Sequence, residues 1–142
     1  MPKQVGLASI VGFFGFLAAA NAQVASPSTP GAPFDGTYRL VSSTNVNEIY
    51  TSYNGHSAQC PSRKPGPLHI VGGSVDYTTA TGYRLAGTVG SQGELTMRSE
   101  MVASSRPARM QASGAVDGNG AAHVRQRSSG CSYDFTWQRE AK

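Results

Sequence analysis

The chain has 142 residues, with 12 Lys and Arg against 8 Asp and Glu, a formal net charge of +4, 39% hydrophobic residues and only 14% charged ones. That length suits a single domain, and the apolar share is too high for an acidic, aromatic-poor disordered chain. The 17 Gly and 8 Pro argue for many turns and against long helices, and the sequence holds no nucleotide-binding loop, zinc-ligand spacing or nucleophile elbow.

Residues 1–4 carry Lys3 and the amino terminus, 5–20 form an uncharged apolar run with Phe13, Phe14, Phe16 and Leu17, and Ala20-Asn21-Ala22 follows. A basic start, an apolar centre shorter than the roughly 20 residues of a membrane helix, and a small-x-small site make the pattern of a secretory signal, with cleavage expected after Ala22. No Cys follows that site, so acylation there is not expected. Residues 23–35, rich in Pro and Ser, read as a flexible lead-in. Residues 36–142 then form the domain.

Export predicts that Cys60 and Cys131 form a disulfide, because an oxidising compartment favours a bridge over thiols or metal. Closing a loop of about 70 residues stabilises by about 4 kcal/mol. The basic charge shows no arginine-rich tract, which argues against nucleic acid as the partner.

From residue 36 onward, apolar and polar residues alternate in short runs punctuated by glycine, the two-residue period of half-buried antiparallel strands. Strands are predicted over 36–43, 67–71, 74–79, 83–89, 94–101, 108–117, 121–128 and 131–139. The last has the clearest faces: Cys131, Tyr133, Phe135 and Trp137 point one way, and Ser132, Asp134, Thr136 and Gln138 the other. The same test predicts a core of Tyr38, Leu40, Leu68, Ile70, Val75, Tyr77, Tyr83, Leu85, Val89, Leu95, Met97, Met101, Met110, Ala112, Val116 and Val124.

Gly72-Gly73, residues 90–93 and residues 117–120 are short enough to be hairpins, so consecutive strands should be antiparallel neighbours. The predicted fold is all-β, an eight-stranded up-and-down meander closed into a small barrel, since closure removes the exposed edges of an open sheet. A two-sheet sandwich is the alternative. In the barrel, Cys60 lies in the connection after the first strand and Cys131 opens the last. Those strands are neighbours on closure, so the bridge fits the topology.

Gly36-Thr37-Tyr38, a Gly-x-aromatic first strand ahead of this meander, resembles the start of calycin-like barrels such as lipocalins, avidins and the small periplasmic metalloprotease inhibitors. The resemblance spans roughly residues 36–140 as architecture. Tyr38 stands where those families usually have tryptophan, and no helix follows the last strand, so no ligand residues are carried over.

Catalysis finds no scaffolded Ser, His and Asp set, so a non-enzymatic protein is expected, without cofactor or metal. His69 and His123 fall on outward faces. Residues 117–120 begin like a calcium loop but lack its closing Glu, with Ser128 at that place, and read as a turn. The two barrel ends differ: one carries only the tight glycine turns, whereas the other receives 44–66, 80–82, 103–107 and 129–130. That loop end is the expected mouth. It offers Tyr50, Tyr53, Asn54, His56, Arg63 and Lys64, joined by Arg106, Arg109 and Arg127. Arg grips phosphate or carboxylate with two hydrogen bonds, and Tyr rings stack on sugar faces. The expected function is therefore an exported binding protein, periplasmic or extracellular, taking a small ligand or an anionic glycolipid or polysaccharide at its mouth. The alternative is a protein-partner module, such as a protease inhibitor that inserts residues 23–35 into an enzyme cleft.

Overall fold

The computed structural model describes residues 31–51, 54–99, 109–128 and 130–142. After a short 3-10 turn at Ala32–Phe34 come β1 (Gly36–Asn45), β2 (Ile49–Thr51), β3 (Ser57–Gln59), β4 (Leu68–Val71), β5 (Ser74–Thr78), β6 (Arg84–Val89), β7 (Glu94–Ser99), β8 (Gln111–Val116), β9 (Ala121–Arg127) and β10 (Ser132–Arg139). Eight of these close into an antiparallel barrel in the order β1-β10-β9-β8-β7-β6-β5-β4, and β4 returns to pair with β1. The expected barrel is what forms, with each of its strands on a predicted run. The hairpin of β2 and β3 is an addition, folded within the long connection after β1.

Alternation places one face of every barrel strand inside. Trp137, Tyr38, Tyr77, Phe135, Leu68, Ile70, Leu85, Leu95, Met97 and Val75 are fully buried. The Tyr77 ring lies 5.1 Å from Trp137 and 6.5 Å from Phe135, and Phe135 stacks on Tyr133 at 5.8 Å. An eight-stranded barrel has a bore just wide enough for side chains, so this aromatic cluster needs small residues opposite. Ala112 and Ala122 supply them, together with inward glycines. A Cβ on Gly87 would sit 1.7 Å from the Thr96 carbonyl oxygen, and one on Gly114 would sit 1.8 Å from that of His123. At these two points the sheet bends too sharply for any side chain.

Three predicted core residues are not buried in the bore. Tyr83 is 38% exposed because it precedes the last ladder pair of β5 and β6, Thr78 with Arg84, and so stands at the rim. Leu40 and Met110 are only partly buried, packed against the core's edge. Met101 lies outside the described residues.

The tight-turn end is plugged. Phe34 packs against the core and its carbonyl accepts from the Tyr38 hydroxyl at 2.6 Å. The Asp35 carboxylate accepts from the Gly72 N–H at 2.9 Å, and Arg139 donates to the Pro33 carbonyl at 3.0 Å. Residues 31–35, assigned by sequence to the lead-in, are thus docked, and the chain enters the barrel at the end opposite the mouth.

Candidate ligand site at the barrel mouth

The mouth wall is built by a segment that cannot be a strand. β4 covers only the lower part of β1, pairing with Gly36, Thr37 and Tyr38. Above it, residues 60–66 run beside β1, and Pro61, Pro65 and Pro67 remove the backbone donors a ladder would need. Side chains substitute for the ladder: Ser43 donates to the Arg63 carbonyl, Asn45 to that of Cys60 at 2.8 Å, Tyr133 to that of Pro61 at 2.9 Å, and the Trp137 indole to that of Gly66 at 3.0 Å.

The predicted disulfide anchors this wall, Cys60 bonded to Cys131 with Cα atoms 5.6 Å apart at a sequence separation of 71. Asn47 braces the same corner. Its amide nitrogen donates to the Gly130 carbonyl at 2.8 Å and its oxygen accepts from the Ser132 N–H at 2.8 Å. Pinning 47, 60 and 131 together holds Tyr50, on β2, against Gly130, where an added Cβ would fall 2.4 Å from the ring.

Between these pieces lies a cavity of about 150 Å³, lined by Tyr50, Arg63, Thr79, Thr81, Gln126 and Tyr133 among others. Its floor is polar. Gln126 occupies the inward position above Ala122 and Val124 on β9 and is 4% exposed, and its Oε1 accepts from the Tyr77 hydroxyl at 2.6 Å. Burial pushes the Tyr77 phenol well above its ordinary range, so it stays a neutral donor. With the amide oxygen engaged, the Gln126 NH2 is the donor left for an occupant. Among the described residues, the lining offers hydroxyls, amides and one guanidinium, but no histidine or carboxylate.

Of the residues selected by sequence, Tyr50 and Arg63 meet at this cavity. Lys64 borders a separate outer depression beside Leu40, Val41, Ser42 and Ser43, and His56 is exposed in the connection between β2 and β3. Arg127 points outward from β9, because the neighbouring Gln126 takes the inward register. Arg109 is exposed just before β8, whereas Tyr53 and Arg106 lie outside the described residues. Sequence reasoning passed over Gln126, Thr79 and Thr81. The available signal was a polar residue in an inward register at the open end of a strand.

The turn at 117–120 is a hairpin, with the Asp117 carboxylate accepting from the N–H groups of Asn119 and Ala121 at 2.9 and 3.0 Å. Among the described residues, no helix is long and apolar enough to cross a membrane. No family model matches the chain, and neither a curated protein nor a solved structure matches it.

Proposed function

We propose that this is an exported, non-enzymatic binding protein that receives one small polar group, an acidic sugar residue of an envelope glycan, in the cavity at its mouth. The observation that carries the reading is the polar-floored cavity of about 150 Å³ above an otherwise packed interior. Sites that engulf a whole small molecule usually measure about 300–1,000 Å³, so this one suits the terminal unit of something larger. Arg63 favours an acidic unit and Tyr50 offers a ring face for a sugar. The disulfide and the amino-terminal signal pattern support export, and intact mass beginning at Gln23 is the expected result for the secreted chain.

Titration with glucuronate and with glucose, followed by amide NMR, tests the proposal. Glucuronate should shift the Gln126 side-chain amide together with Thr81 and Ser128, and Arg63→Gln should abolish its advantage over glucose. Partner contacts confined to Gly72, Gly73 and residues 31–35 would instead favour the arm-inserting inhibitor, since residues 31–35 sit at that end.

A further inference from the structure

The outer wall carries a second concentration of chemistry. Arg98 on β7 pairs in register with Gln111 on β8, and Gln111 with Arg127 on β9. All three are exposed, so two guanidinium-bearing positions flank one amide across three adjacent strands, about 10 Å apart at their Cα atoms. One step down, Thr96, Ser113 and Arg125 repeat the row. Because β8 has the short outward side chain of Ser113, the rows border a shallow depression lined by Thr96, Arg98, Gln111, Ser113, Arg125 and Arg127.

Among the described residues, the charge there is only partly compensated. Asp134 is the carboxylate beside this surface, and Arg125 holds it through two nitrogens at 2.8 Å each. Among the described residues, no hydrogen-bond acceptor or carboxylate engages Arg98 or Arg127, and Arg109 stands two residues before Gln111 on the mouth side. The carboxylates Asp35, Glu94, Asp117 and Glu140 all belong to the plugged end. Solubility alone would be served by charges spread among opposite signs. Here, like charges face one another across a single strand.

We propose that this depression is a binding site for a tetrahedral oxyanion, the phosphate or sulfate ester group of an anionic molecule, held between Arg98 and Arg127. Each guanidinium offers a planar pair of N–H donors that matches two oxygens of such a group, and Gln111, Ser113 and Thr96 add neutral donors at the floor. The site is on the outside of the barrel and does not depend on what fills the mouth.

Calorimetric titration of the full disulfide-bonded chain at low salt, with sodium tripolyphosphate and separately with a heparin octasaccharide, tests it. Arg98→Gln combined with Arg127→Gln should weaken binding about tenfold or more, with rising salt producing the same loss in the parent. Arg39→Gln combined with Lys142→Gln removes the same charge at the plugged end and should change affinity less than about twofold. Gln111→Glu, which sets a carboxylate between the guanidiniums at an exposed position, should abolish binding while leaving the melting temperature in place. Comparable binding of both probes shows that phosphate and sulfate oxyanions serve alike, whereas binding of heparin alone assigns the site to a sulfated polymer. Equal losses in the two double variants, or a parent that binds neither probe, overturn the proposal.

Discussion

The Tyr77 hydroxyl donates to Oε1 of Gln126 at 2.6 Å across the bore of the barrel, joining β5 to β9, which are not neighbours in the sheet. Below this bond Phe135 and Trp137 close on the Tyr77 ring. Above it lies the cavity. Tyr77→Phe should leave the buried amide oxygen without its donor and lower stability by about 1–3 kcal/mol in urea denaturation. Adding Gln126→Leu should recover most of the loss, because the amide oxygen left without a donor is then gone as well. A double variant no more stable than the single would show that the bond is not the cause.

Gly87 and Gly114 allow the wall to turn where a Cβ would fall 1.7 and 1.8 Å from a neighbouring carbonyl oxygen. Backbone atoms of a paired strand cannot yield as a flexible side chain can. Gly87→Ala and Gly114→Ala should each cost at least about 3 kcal/mol or prevent folding. Gly118→Ala, in a turn where an added Cβ meets nothing within 4 Å, should stay within about 0.5 kcal/mol. Thermal unfolding of the three variants decides the matter.

Legibility in the sequence followed the length of the repeating pattern. The alternation Cys131, Tyr133, Phe135, Trp137 runs long enough to fix its own face, and the glycine pairs mark where neighbouring runs reverse. β2 and β3 have three residues each, too few for a period to register, so the hairpin that carries Tyr50 was invisible. Gln126 was overlooked because the search for the inward face followed apolar residues, whereas at the mouth a polar one forms the floor. Arg98 escaped notice because its connection to Arg127 exists only through the pairing of β7, β8 and β9. Arg127 ends β9 and Arg109 precedes β8, but the face each occupies depends on register.

Acid should expose two further relationships. Backbone N–H groups of Ala121 and Asn119, with His123, hold the Asp117 carboxyl below its ordinary range, and the Arg125 guanidinium does the same for Asp134. Folded-state values lower than unfolded ones mean stability that is present above about pH 4 and is lost as pH falls through the folded values. Unfolding midpoints should therefore decline below about pH 4, and less steeply in Asp117→Asn and Asp134→Asn. An identical acid slope in parent and variants would remove both pairs from the account.

The bridge between Cys60 and Cys131 closes 71 residues of sequence, so replacing both with Ala should lower stability by about 2–5 kcal/mol. The Asn47 bonds to Gly130 and Ser132 remain in that variant. Hydrogen exchange should accordingly rise at residues 60–66 more than at 130–132. Uniform acceleration around the barrel would mean that the bridge acts globally and does not localise the mouth wall.

The last test separates site from scaffold. Gly130 leaves room for the Tyr50 ring, and an added Cβ would lie 2.4, 2.6 and 2.9 Å from three of its atoms. Unlike the wall glycines, Gly130 confronts a side chain that can swing away. Gly130→Ala should thus displace Tyr50 from the cavity with little change in melting temperature. If Tyr50 contacts a bound sugar, glucuronate should bind about fivefold to tenfold more weakly, the loss of one aromatic contact. Tyr50→Ala should give the same reduction, and the two changes together no more than either alone, because both remove one ring from one place. Unaltered glucuronate affinity in Gly130→Ala, with the Tyr50 resonances shifted, would show that the ring is a strut of the corner and that recognition rests on Arg63 and Gln126.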